Sequence, residues 1–410
     1  MGRTQKNESN DARLGNVFGS LADINVSRRG FMRSAIYGAA AVGGSLLVPP
    51  LVRAQASDSI QAYPFGTDPI ADDIDGAIQY WLEATKDAAP ADAAEVVLTD
   101  AEKRELQKRN ITVGHTWYGL FVPAIVGWNR FWKSDVEQWA ANTRVFDAQG
   151  KPERDIAGVQ TMIDQGVPVV GTLAVDWVVF SEAMRKLHKA NVASTSVVAP
   201  SSAYYPTTST IMPDQVENAR SLVLPMAKRL RAQGITESDV VLLPAKNPSF
   251  FDIARSIGFK QGLKSKEVQE VCKLTLVEEK PVGPGVEDAQ AATSAALQQY
   301  PNLHVVGALA HWYAGASAAI RDAGRQDTWV VAFDLDQGTA TDLLLGGWPV
   351  AVAYSLPIAQ TGRADANVMG KILLGKRVPL VVKTVGTVAT PDNVRQAWSE
   401  NWGGEKIPFD

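Results

Sequence analysis

Apolar residues along this chain of 410 residues fall into two alternating rhythms. Short β-branched runs at Ile111–Gly114, Val167–Leu173, Ala193–Val198, Val240–Leu243, Val271–Val277, Val305–Ala308 and Trp329–Phe333 read as strands. Between them the spacing predicts helices over Ala124–Asn142, Asp155–Gln165, Ser181–Ala190, Gln215–Ala232, Phe250–Lys264, Asp288–Gln299, Ala314–Ala323 and Ala340–Leu345. In Asp155–Gln165, for example, Ile156, Val159 and Ile163 recur at intervals of three and four. Strand–helix alternation at this spacing implies right-handed βαβ units and parallel sheets covered on both faces. The number of units calls for two such sheets, an α/β fold of two doubly wound lobes. Residues 57–110 stand apart as an extension, containing proline at first and then helical around Ile74–Ala84 and Asp100–Lys108.

The N-terminus reads as an address rather than as fold. Ser27-Arg28-Arg29-Gly30-Phe31-Met32-Arg33 sets paired arginines and an aromatic ahead of an uncharged Ala/Gly/Leu stretch, Ser34–Val48. That stretch is shorter than the roughly 20 apolar residues a spanning helix needs. Ala54-Gln55-Ala56 then offers a small–x–small cleavage site. Residues 1–56 are therefore expected to be a twin-arginine signal peptide, and the mature protein to be periplasmic. Removing their seven bases and three acids from the totals of 40 and 44 leaves 33 against 41, a mildly acidic protein. No basic run survives, which argues against nucleic acid as a partner. Cys272 is the only cysteine, so no intramolecular disulfide can form.

From about Ile111 to Ala397 the chain resembles the type I periplasmic binding proteins of the ribose/galactose-binding branch. The resemblance rests on Asp155–Gly166 leading into Val167-Pro168-Val169-Val170-Gly171, on Ala254-Arg255-Ser256-Ile257-Gly258-Phe259, and on Val330-Val331-Ala332-Phe333-Asp334 with Gly375-Lys376-Arg377-Val378-Pro379 further on. It implies two lobes joined by a three-stranded hinge, the first from 111–212 plus 355–382 and the second from 213–354 plus 383–410. It also implies a solute-binding protein, expected to be a monomer, that hands a small polar metabolite such as a sugar or polyol to an ABC permease and its ATPase. The twin-arginine translocase would be its partner during export.

Ligands of open α/β sheets sit beyond the carboxyl ends of the strands. By analogy, those ends offer Trp117, Tyr118 and Phe121 as stacking rings, then Asp176 and Trp177. In the second lobe they offer Phe251, Asp252, His311, Trp312, Asp334 and Tyr354. Asp214 is a candidate contact and equally a helix cap beside the hinge. Asp334 ends an apolar strand and is the firmest expectation, while Asp336 and Gln337 are placed to cap the next helix. Trp139, Trp329 and Trp398 read as structural. The chain departs from its aldose-binding relatives in three places. They carry an Asp-Arg pair at Val198-Ala199, an Arg at Ile253 and an Asn-Asp at Leu309-Ala310. Losing such forked hydrogen-bonding groups implies a ligand with fewer hydroxyls or with an apolar face.

Two other classes stay open: a twin-arginine-exported enzyme, and a sensory binding protein that docks to a receptor or kinase. The four histidines have no metal-ligand spacing, and neither a Gly-x-Ser-x-Gly elbow nor a glycine-rich phosphate loop is present. No cofactor or metal is expected.

Overall fold

A computed structural model describes residues 91–173, 177–197, 208–246, 249–283, 285–379 and 381–408. The expected signal peptide, residues 57–90, Asp176 and Val198-Ala199 lie outside the described residues. The chain opens with β1 (Ala91–Asp92), α1 (Asp100–Lys108), β2 (Thr112–Trp117), α2 (Pro123–Val136), β3 (Asn142–Asp147) and α3 (Pro152–Asp164). It continues with β4 (Val169–Leu173), α4 (Trp177–Lys189), β5 (Ala193–Val197) and β6 (Ser209–Pro213). Next come α5 (Gln215–Ser221), α6 (Val223–Ala232), β7 (Glu237–Leu242), α7 (Phe250–Lys264), α8 (Lys266–Val271) and β8 (Lys273–Glu279). Then follow α9 (Val286–Gln299), β9 (Leu303–Ala308), α10 (Tyr313–Asp322), β10 (Trp329–Phe333), α11 (Gln337–Leu344) and β11 (Val350–Ser355). The last elements are α12 (Ile358–Leu373), β12 (Val381–Thr384), β13 (Thr387–Ala389) and α13 (Val394–Asn401).

These strands form two sheets, ordered β1-β12-β6-β5-β4-β2-β3 and β13-β11-β10-β9-β7-β8. All neighbours pair in parallel except β11 with β13. The chain passes between the sheets three times, after β6, after β11 and after β12. Each sheet is the framework of one lobe. Strands β4, β10 and β11 are buried along their whole length, and their sequences VVGTL, WVVAF and VAVAYS show the near-continuous apolar run that cover on both faces requires. Strands β5 and β6 are as buried but carry Ser and Thr, whose hydroxyls need partners in the interior. Ser209 Oγ, for instance, donates to the Pro379 carbonyl at 2.7 Å.

Residues 91–110 are built into the first lobe rather than set apart from it. Strand β1 extends the first sheet beside β12. Capping boxes on Asp92 and Thr99 then turn the chain onto α12. Leu98 and Leu106 are buried there, and the Leu98 N–H donates to Asn367 Oδ1 at 2.8 Å. Glu102 accepts from Lys371 and Lys376 of α12 and its following turn. Burial alone would raise its carboxyl; these ammonium groups and Thr99 outweigh that and hold it at about 2.

The predicted helix over Ala124–Asn142 stops at Val136, and β3 begins at Asn142. This edge strand is largely exposed, so no apolar run marks it. The predicted helix Gln215–Ala232 is divided at Leu222 into α5 and α6. Gly258 of α7 lies against the Val216 carbonyl of α5, where a side chain would collide with backbone. That close packing puts the middle of α7 beside the first crossing between the lobes.

Candidate functional site

The carboxyl end of β10 carries a carboxylate that is unusual among the described residues. At Asp334 the backbone turns through φ 102°, a left-handed conformation that a residue with a Cβ rarely adopts. Two bonds hold it there: its N–H donates to the Tyr354 carbonyl at 3.1 Å, and its own carbonyl accepts from Thr339 Oγ1 at 3.1 Å. Asp334 Oδ1 is sealed from water yet accepts no hydrogen bond among the described residues. The nearest cation is the Arg255 guanidinium, 3.8 Å away. Burial pushes the Asp334 carboxyl up to about 7; Arg255 opposes the shift, and Asp336 and Asp252 add to it. Backbone strain and an unsatisfied buried acceptor thus coincide at one residue, which makes Asp334 a candidate binding position.

Arg255 is itself buried and heavily engaged. Its Nε donates to Gln215 Oε1 at 2.9 Å and its Nη1 to the Leu309 carbonyl at 2.8 Å. Its guanidinium lies 3.8 Å from the Phe333 ring centre and 5.0 Å from that of Phe251. The cation therefore ties α5, α7 and the ends of β9 and β10 into one unit behind Asp334. Asp336, two residues on, is occupied differently. It caps α11 through the Thr339 N–H at 3.0 Å and accepts from the Tyr313 hydroxyl at 2.6 Å.

In front of Asp334 lies a recess of about 340 Å³, its open mouth included. Its second-lobe side is His311, Asp334, Leu335 and Asp336; its first-lobe side is Val122, Pro123 and Ala124 at the start of α2. Leu356 and Ile358, on the second crossing, and Trp402, just after α13, complete it. Among the described residues no three His, Cys, Asp or Glu side chains gather as metal ligands, and no helix is long and apolar enough to cross a membrane.

A small recess between two parallel-sheet lobes, mostly apolar in its lining but with His311, Asp334 and Asp336 on one side, is the geometry the sequence resemblance implies. Residues 119–377 match the family model described as a periplasmic binding protein domain. The chain belongs to the periplasmic binding protein family. This is a family of binding proteins, and the expectation of a solute-binding protein of the ABC-importer type agrees with it. A search of curated proteins returns no match. Among solved structures, this chain is similar to a protein from Mycobacterium smegmatis in complex with β-D-fucofuranose. The two share 20% identity at a TM-score of 0.61, over 70% of this chain and 93% of the other. A Caulobacter myo-inositol binding protein with bound myo-inositol gives 20% and 0.60, over 70% and 96%. An ABC transporter solute binding protein from Agrobacterium vitis with bound allitol gives 17% and 0.61, over 70% and 97%. At such identities the likeness is one of fold.

The expected site residues divide sharply. Asp334 and His311 line the recess. Tyr118 is half-buried, and burial together with the charge of Asp252, across in the second lobe, raises its hydroxyl. Trp117 does not reach the recess. It is fully buried in the first lobe, stacked on His115 at 3.5 Å and donating from Nε1 to Asn129 at 2.9 Å. Trp312 is likewise interior, with Nε1 on the Leu243 carbonyl at 3.0 Å. Tyr354 stacks on Phe333 at 5.0 Å, and its hydroxyl accepts from the Gly386 N–H at 3.0 Å. Phe121 points outward, 62% exposed.

The remaining candidates are mostly structural. Asp214 caps α5 through the Glu217 N–H at 2.9 Å, and Asp252 is turned onto Ser249 in the capping box of α7. Phe251 packs beneath Arg255. Trp177 opens α4, and its side chain, like Asp176, lies outside the described residues. Trp139, Trp329 and Trp398 are buried, as a structural role requires. Sequence reasoning missed Arg255, Leu356, Ile358 and Trp402. For Arg255 a signal existed, since it stands three residues after Asp252 on one face of a helix.

Proposed function

We propose that this protein captures a small, uncharged, polyhydroxylated solute, a sugar or polyol with one comparatively apolar face, and delivers it as a monomer to an ABC permease. The twin-arginine translocase carries it to the periplasm through the segment around Arg28 and Arg29. The observation that carries the reading is Asp334, a strained and buried carboxylate at the recess with no protein donor on Oδ1. A ligand hydroxyl would bond to the partly exposed edge of this carboxylate, and a bond of this charged type is among the stronger ones available. Three carboxylates, Asp252, Asp334 and Asp336, cluster there around one guanidinium, that of Arg255, which disfavours phosphorylated or carboxylated ligands. The neighbours' own ligands, β-D-fucofuranose, allitol and myo-inositol, share this neutral chemistry.

The test is a thermal-shift screen of the periplasmic protein against neutral sugars, polyols, sugar phosphates and aromatic acids. A ligand at 100 times its dissociation constant adds about 2.7 kcal/mol of stability. Stabilisation by sugar phosphates or aromatic acids, with none by sugars or polyols, would refute the ligand class. Export is tested separately. Changing Arg28 and Arg29 together to Lys should strand the precursor in the cytoplasm, and normal export without the twin-arginine translocase would refute that part.

A further inference from the structure

Helix α13 belongs to the second lobe. Trp398 lies in that lobe's buried core, the Ala397 carbonyl accepts from Ser355 Oγ at 3.1 Å, and Asn401 Nδ2 donates to Thr387 Oγ1 at 3.2 Å. The segment that follows leaves this lobe and lies on α2 of the first. Trp402 stacks back on Trp398, ring centres 4.9 Å apart and nearly coplanar, so its ring is held flat. The edge of that ring meets α2 at Gly127, where a Cβ would stand 3.0 Å from the indole and 2.5 Å from Ile358. One residue on, Gly403 adopts φ 70° and sits so close to Phe131 that a Cβ would come within 2.9 Å of its ring. Glu405 then pairs with Arg130 at 2.9 Å, and the Arg130 guanidinium lies over both Phe131 and Trp402.

Two glycines, one ion pair and two rings thus join the second lobe to a single turn of α2. The same indole that makes the join also lines the recess that Asp334 borders. We infer that residues Trp402–Glu405 form an interlobe clasp in which Trp402 both contacts the ligand's apolar face and ties the second lobe to α2. The part of the indole that lines the recess suits the C–H groups of a ring or polyol chain, while Asp334 takes hydroxyls. Because the lining and the tie are one side chain, filling the recess supports the indole and so strengthens the interlobe contact. The ligand-contact part rests on the functional reading above; the tie does not.

Calorimetric titration with myo-inositol and with allitol separates the two. Trp402→Ala should weaken whichever probe binds about tenfold or more, as loss of a buried aromatic anchor does, whereas Trp402→Phe should keep most of the affinity. Glu405→Gln lies outside the recess and acts only through the tie. It should speed release roughly two- to fivefold, the range of an exposed ion pair, and that difference should vanish at high salt. Equal affinity in wild type and Trp402→Ala overturns the ligand contact. Should neither probe bind wild type, the ligand class is at fault, and small-angle scattering of the unliganded protein still tests the clasp. Trp402→Ala and Glu405→Gln should both enlarge the radius of gyration; identical curves for all three proteins overturn the clasp.

Discussion

The first lobe meets the recess with Val122, Pro123 and Ala124, while the second meets it with His311, Asp334 and Asp336. One side offers shape and excludes water; the other offers direction. The contrast extends into what lies behind each wall. Behind Asp334 stands a buried Arg255 with charged neighbours, so the polar side is backed by a hydrogen-bonded network. Behind the first-lobe wall, α2 packs on α12 through Trp128, Phe131 and Trp132. For a ligand held there, specificity and desolvation would be divided between the lobes, a polar bond on one side gaining strength only when the other closes over it.

The largest expected effect tests whether the first lobe's aromatics belong to the core. Trp117→Ala should destabilise the protein by about 3–5 kcal/mol in a denaturant melt, because the ring is fully buried against His115. Unchanged stability with lost binding would move Trp117 back to the recess and undo the division. The next effect is on the other side. Asp334→Ala should leave the fold intact and weaken a bound sugar or polyol by roughly 1.5–3 kcal/mol, about tenfold to a hundredfold in calorimetric titration.

The titration of Asp334 sharpens the same point. Its folded-state carboxyl is raised to about 7, so the free protein holds a proton there that the unfolded chain releases at lower pH. Its contribution to stability is therefore present at acid pH and is lost as pH rises towards 7. Asp155, buried in the first lobe and also raised to about 7, acts in the same direction. Ligand affinity should run the opposite way, because hydroxyl donors prefer the carboxylate. Affinity should be full above pH 7 and fall about tenfold per unit well below it, with proton release on binding near neutrality. Asp334→Asn should abolish this dependence of affinity on pH. A flat profile in wild type would mean that the ligand does not bond to this carboxylate.

Why some of this was legible in the sequence, and some not, follows from distance along the chain. Strand β10 announces itself because WVVAF is buried on both faces, and Asp334 stands out as the first polar residue beyond it. Trp117 was misread because the strand was expected to end at Gly114. Strand β2 runs on to Trp117, and alternation then puts Val113, His115 and Trp117 on one face, towards α2 and α12. Strand β3 escaped notice as a mostly exposed edge. The role of Trp402 lies beyond any local pattern. It follows a helix rather than a strand, and only its packing against Gly127, far away in sequence, brings it to the recess.

The smallest effect divides the second lobe's own carboxylates. Asp336 borders the recess as Asp334 does, yet its Oδ1 already accepts from the Thr339 N–H and the Tyr313 hydroxyl. An oxygen so engaged has little capacity left for a ligand, and its work is to start α11. Asp336→Ala should therefore cost about 1 kcal/mol of stability, the usual loss for a helix N-cap, and change sugar or polyol affinity by less than about twofold. Asp336→Ser, which can still cap, should recover most of the melting temperature. The opposite pattern, intact stability with affinity reduced as far as in Asp334→Ala, would make the ligand's acceptor a pair of carboxylates. The second lobe would then grip its ligand along the whole turn from Asp334 to Asp336, and not through one strained residue.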